Sequence, residues 1–125
     1  MLDMTVAQIN CLLAIRELYH EGPVASKEIA VQLRVSRPSV HRLLDALIRK
    51  ELVCKEPYGA VHLTAKGQAT ADKMQALCEA LTARLRAALC LSEQSAEAAA
   101  LAMMSSLGED DLTACAQKTA LQAAV

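Results

Sequence analysis

The chain contains no Phe and no Trp, and Tyr19 and Tyr58 are its only aromatic residues. With so few rings on which unpaired bases could stack, a platform for single-stranded nucleic acid is disfavoured. β-branched and aromatic residues favour strands, and their scarcity argues against an all-β sandwich or barrel. No uninterrupted apolar stretch reaches the roughly 18 residues of a membrane span, so no membrane partner is expected. The opening MLDMTVAQIN places no charged segment ahead of an apolar run, and no signal peptide is expected. The five cysteines, Cys11, Cys54, Cys78, Cys90 and Cys115, are odd in number and form no CxxC pair. That usage fits mostly free thiols in a reducing cytoplasm. There is no internal repeat, no Gly-rich phosphate loop, no nucleophile motif and no His/carboxylate cluster that a cleft would gather. Asp110-Asp111 is explained by charge at a helix start, so the chain is not expected to be an enzyme.

What is present is helix-forming material. The 125 residues are 54% hydrophobic and include 24 Ala and 19 Leu. Such a length suits one or two small modules with a buried core. The net charge of −1 conceals an asymmetry. Residues 26–66 carry eight Lys/Arg against four acids, with His41 and His62 in the same stretch, whereas residues 67–125 carry four against seven. A basic middle followed by an acidic second half points to two modules with different work.

Periodicity and punctuation divide the chain further. Thr5-x-x-Gln8 has the form of a capping box ahead of a first helix that carries Ile9, Leu12, Leu13, Ile15, Arg16 and Tyr19 and stops at Gly22-Pro23. Ser26 is expected to cap a short second helix with Ile29, Ala30 and Leu33 inward. Arg34-Val35 is a tight connection. Ser36 caps a third helix, with Pro38 in its first turn and Val40, Leu43, Leu44, Leu47 and Ile48 as the buried stripe. Leu52 to Glu56 and Ala60 to Leu63 read as a two-stranded hairpin around Pro57-Tyr58-Gly59. Thr64 caps a long helix over about 65–91, which carries Met74, Leu77, Cys78, Leu81, Leu85, Ala88 and Leu89 on one side. A shorter helix spans about 96–107. A last one follows Gly108, with Glu109, Asp110 and Asp111 in its first turn, where the helix dipole favours them. The expected class is mainly α with a small β-hairpin wing. A winged helix-turn-helix DNA-binding domain occupies 1–66, and a helical dimerisation or effector domain occupies 67–125.

The third helix carries the functional signal. Arg37, Ser39, His41, Arg42, Asp45 and Arg49 lie off its apolar stripe. A helix entering a major groove needs such a face: N-terminal residues read base edges while basic ones anchor on phosphate. Arg37 or Arg42 suits a bidentate contact to guanine, and Ser39 and His41 suit a base edge or a phosphate. Lys55, His62 and Lys66 sit on or beside the wing, in reach of the DNA backbone. The candidate DNA-binding residues are Ser36, Arg37, Ser39, His41, Arg42, Arg49, Lys55 and His62. The expected partners are double-stranded DNA and a second copy of the chain. The Ala/Leu-rich second half has more apolar surface than a tiny domain hides, which favours self-association.

From Asn10 to about Asp111 the chain resembles the iron- and manganese-dependent repressors of the DtxR/MntR type. The resemblance rests on AIRELYHEGPVASKEIAVQLRVSRPSVHRLLDALIRKELVCKEPYGAVHLTAKG, with its Ser-x-Pro-Ser-Val helix start and its Tyr-Gly wing tip followed by LTAKG. In the second half it rests on a long helix, ALCLS, a short helix and LGEDDL. It implies a homodimeric, metal-responsive repressor on a palindromic operator. The family's metal ligands map onto Asn10, Cys78, Thr82, Glu97, Leu101, Met104 and Ser105. Leu101 has no donor atom, Met104 replaces a carboxylate and Ser105 an imidazole, and no His follows His62. The donors needed by Mn(II) or Fe(II) are therefore largely replaced. Cys78, Met103, Met104 and Cys11, with Glu97 beside them, remain as candidate ligands for a soft transition-metal ion, or as packing residues with no cofactor at all.

Two alternatives stay open. One is a MarR-like regulator responsive to a small ligand or to thiol oxidation, although a single short helix ahead of the helix-turn-helix favours the first family. The other is a winged helix that binds protein, although such a module would expose apolar residues where this third helix carries Arg, Ser and His.

Overall fold

The computed structural model describes residues 3–19, 22–57 and 59–123. Tyr58, expected at the wing tip, lies outside the described residues. Among them the order is α1 (Val6–Leu18), β1 (Val24–Ala25), α2 (Ser26–Leu33), α3 (Arg37–Arg49), β2 (Val53–Lys55), β3 (Ala60–Leu63), α4 (Ala65–Leu89), α5 (Glu93–Ser106) and α6 (Glu109–Ala123). The chain is thus mainly helical with a small antiparallel sheet, a winged helix-turn-helix followed by a helical module. It folds as two compact units, Ala7–Lys73 and the segment from Met74 onward with the residues ahead of Ala7. α4 begins in the first unit and continues into the second. No helix among the described residues is long and apolar enough to cross a membrane.

In the winged unit the sheet order is β1-β3-β2. Val53, Cys54 and Lys55 lie opposite Leu63, His62 and Val61. The expected hairpin is therefore present, and β1 joins it with Val24 opposite Val61 and Ala25 opposite Ala60. β1 lies outside the sequence expectation because two residues carry no readable alternation; only the partner strand makes them a strand. Its extension into α2 also changes the expected role of Ser26. Ala25 is the residue before the helix and gives no side-chain cap. The Ser26 hydroxyl instead donates to the carbonyl of Gly59 across 3.5 Å.

Between α2 and α3 lie only Arg34, Val35 and Ser36. Arg34 is left-handed, with φ 57° and ψ 45°, and its N–H closes the end of α2 on the carbonyls of Ala30 and Val31. That conformation costs a side-chain-bearing residue about 1 kcal/mol. Ser36 caps α3 as expected, its Oγ accepting from the Ser39 N–H across 3.3 Å. α3 buries Val40, Leu44, Ala46 and Leu47. Ile48, expected inward, is 36% exposed, because the buried stripe passes through Ala46 instead. Ile9, Leu12, Ile15, Val24, Ile29 and Val61 are also fully buried in this unit. Each such side chain contributes about 1.5–3 kcal/mol by leaving water.

α4 starts at a crowded junction. Thr64 donates its hydroxyl to the carbonyl of Glu51 at 2.7 Å. Its Oγ1 accepts from the Gly67 N–H at 2.9 Å. Its own N–H bonds to the carbonyl of Leu52 at 3.1 Å. Gly67 lies directly against that same Leu52 carbonyl, and a Cβ there would overlap it.

In the helical unit α4 buries Met74, Leu77, Cys78 and Leu81. It ends at Leu89, two residues before the expected stop, where Cys90 turns left-handed with φ 55°. Leu89, expected on the inward side, is 61% exposed. α5 starts three residues earlier than expected because Ser92 caps it, its Oγ accepting from the Ser95 N–H across 3.2 Å. α5 buries Ala96, Ala100, Leu101 and Met104. α6 opens with Glu109, Asp110 and Asp111 in its first turn, as expected.

Replacing Gly67 by Ala is expected to destabilise the chain by about 2–4 kcal/mol, since the opposing group is rigid backbone. Thermal unfolding followed by circular dichroism checks this. An unchanged midpoint would refute the close approach.

Candidate nucleic-acid interface

The exposed side of α3 carries Arg37, His41, Arg42, Asp45 and Arg49, with Ser39 half-buried at its start. The helical period produces that segregation: the buried positions 40, 44 and 47 form one stripe and leave these residues on the rest of the cylinder. Among the described residues no carboxylate bridges Arg37, Arg42 or Arg49. Their charges remain available to a solvent-borne partner. The start of the helix is held together locally. Ser36 Oγ and Ser39 Oγ are 2.9 Å apart, and Arg42 Nη2 donates to Ser39 Oγ across 3.4 Å. Ser36 and Ser39 are thus already engaged in shaping the helix start, while Arg37 and Arg49, at the two ends of α3, are exposed.

The wing residues divide into two groups. β2 alternates, so Lys55 shares a face with the buried Val53 and emerges beyond the core beside α3. Its Nζ lies 3.1 Å from Nδ1 of His41. Lys55 and His41, chosen separately from the sequence, therefore meet across the helix and the wing. The signal was present in the two-residue step from Val53 to Lys55. His62 stands on the other face of the sheet. Its Nε2 is 2.7 Å from Glu56 Oε1, and its Nδ1 is 3.5 Å from the Tyr19 hydroxyl. The Tyr19 and His62 rings meet edge-on, with centroids 6.3 Å apart. His62 thus has two protein partners and braces the wing against the end of α1, a role the sequence did not signal. Lys66 donates to the carbonyl of Lys50 across 3.3 Å, at the end of α3.

The residues mapped from metal-dependent relatives are placed differently. In the helical unit Cys78 and Glu97 line one hollow of about 350 Å³ between α4 and α5, together with Glu79, Thr82, Arg86 and Glu93. Burial pushes the Cys78 thiol up from its ordinary pKa, and the nearby Glu97 and Glu79 carboxylates push it the same way. Met104 is 1% exposed, and Leu101 is buried beside it on α5. Ser105, at the imidazole position, donates its hydroxyl to the carbonyl of Met4 at 2.9 Å. In the winged unit Cys11 is fully buried, and burial raises its thiol to about 12. Reactive thiols sit in electropositive, partly open settings that favour the thiolate; Cys11 and Cys78 are both buried. No group of three or more His, Cys, Asp or Glu among the described residues could hold a metal ion. The donors present do not fit a Mn(II) or Fe(II) site.

The architecture is similar to that of several solved structures. The manganese regulator SloR matches with a TM-score of 0.76 and 22% identity, over 92% of this chain and 53% of that one. IdeR of T. acidophilum matches with a TM-score of 0.66 and 16% identity, over 90% of this chain and 53% of that one. The hypothetical protein SSo2273 from Sulfolobus solfataricus matches with a TM-score of 0.71 and 18% identity, over 93% of this chain and 89% of that one. The chain spans about half the length of SloR and IdeR. At these identities the likeness is one of fold, so the resemblance to DtxR/MntR repressors extends to the winged helix and not to membership of that family. No curated protein matches the chain. A family model does match, over residues 5–86, which takes in the winged unit and most of α4. On that match the chain belongs to the family of the HVO_A0261 N-terminal domain.

Proposed function

We propose that this protein is a sequence-specific, duplex-DNA-binding transcriptional regulator of the repressor type that works as a homodimer on a palindromic operator. One observation carries the reading: α3 follows a three-residue turn and presents Arg37, Arg42 and Arg49 without a bridging carboxylate among the described residues. Each protomer would set α3 in a major groove, with the wing beside it near the flanking phosphates. The dimer would fix half-site spacing near a whole number of helical turns. Leu89, 61% exposed at the end of α4, gives the helical unit apolar surface suited to a second copy. The names of SloR, a manganese regulator, and MtsR, a metal-dependent transcriptional regulator, agree with a regulatory role. The donor set here points to an effector other than Mn(II) or Fe(II), or to none. Any effector would act by changing the distance or angle between the two reading heads.

Arg42→Ala is expected to weaken binding to the operator selected from a random duplex library, and to lower the slope of log affinity against log salt by about one unit. Fluorescence anisotropy over a salt series measures both. Unchanged binding would remove Arg42 from the interface. In the same assay, Mn(II) or Fe(II) is expected to leave wild-type affinity within about twofold. A rise of about fivefold or more, the ordinary size of an allosteric coupling, would show that the altered donors still form a working site.

A further inference from the structure

The contact between Lys55 and His41 has a chemical direction. A lysine ammonium has three donors and no acceptor. At 3.1 Å from Nδ1 of His41 it requires a lone pair on that nitrogen. With Lys55 donating to Nδ1, the ring's own proton sits on Nε2. A protonated ring would place an N–H and a second positive charge against the ammonium and lose the bond. Nε2 of His41 has no protein partner among the described residues, and the side chain is exposed on the helix face that also carries Arg37, Arg42 and Arg49. With Lys55 donating to Nδ1, His41 presents its Nε2–H on that face.

We infer that Lys55 is a positioning residue that holds His41 as an Nε2–H donor, and that His41 so held reads one base pair per half-site by its major-groove acceptors. This rests on the proposal that α3 enters the major groove. The base edges differ in what they offer such a donor. Guanine shows two adjacent acceptors, N7 and O6. Adenine shows N7 beside an amino donor, and thymine shows O4. Cytosine shows only its amino donor. A ring locked with Nε2–H outward favours guanine and rejects cytosine. A ring free to turn offers either nitrogen, and its lone pair accepts from the cytosine amino group. Lys55 thus acts on specificity through His41 without touching the base.

The test uses the 125-residue chain and a randomised duplex library. Wild type is expected to discriminate against cytosine at one position of each half-site by about tenfold. His41→Ala removes the discrimination at that position. Lys55→Met reduces it to about twofold while other positions keep theirs, and Lys55→Arg, which still donates, keeps it. Nitrogen-15 spectra of the free protein should show His41 protonated on Nε2 alone in wild type and in Lys55→Arg. A uniform loss of affinity in Lys55→Met, with the cytosine discrimination intact, would make Lys55 a phosphate contact and overturn the inference. So would a His41 ring protonated on Nδ1. If wild type selects no duplex at any salt concentration while the nitrogen spectra are as expected, the groove-reading proposal fails, and the base-reading role of His41 fails with it.

Discussion

The close approach of Gly67 to the carbonyl of Leu52 is the constraint on which the winged unit depends. Leu52 is the point where α3 has ended and the wing begins, and Thr64 is where the wing ends and α4 begins. Two carbonyls and a single threonine hold both crossings: Thr64 bonds to Glu51 and Leu52 on one side and to Gly67 on the other. The absence of a side chain at Gly67 lets the first turn of α4 rest on that carbonyl. The position of the wing relative to α3 follows from it, and so does the meeting of Lys55 with His41. A residue with no chemistry of its own thereby sets the geometry of the residues that have some.

The two units assign polarity in opposite ways. In the winged unit the burial stripe of α3 leaves three arginines outward and the tight turn accepts a left-handed Arg34, so positive charge is concentrated on one helix and its approach. In the helical unit the candidate donors divide: Glu97 is exposed, whereas Cys78 and Met104 are buried. Leu101 and Met104 fill space, Ser105 hydrogen-bonds to the backbone of Met4, and burial pushes the Cys78 thiol up against the opposing hydrogen bond of Thr82.

Much of this was legible from the residues in order. The three-residue turn, the Ser36 and Thr64 caps, the paired strands β2 and β3 and the acidic start of α6 all arise from local chemistry, and local chemistry is what a sequence displays. The polar face of α3 was legible for the same reason, since one helical period governs it. The differences arose where a partner distant in sequence decided the outcome. β1 exists because β3 lies beside it. Ser26 lost its capping role because the strand ran into the helix and Gly59 offered a carbonyl. His62, grouped with the DNA-facing residues, is engaged by Glu56 and Tyr19. Ile48 lies outside the buried stripe because Ala46 lies within it.

The short strand β1 has a mechanical consequence. It passes into α2 without an intervening loop, and it is zipped to β3 through Val24 and Ala25. Ser26, the first residue of α2, also bonds to Gly59 at the turn of the wing. There is no slack between wing and helix. A pull on the wing turn is delivered to the start of α2, and from there through the three-residue elbow to α3. The wing turn, β1, the start of α2 and the elbow to α3 thus form one continuous run of short connections.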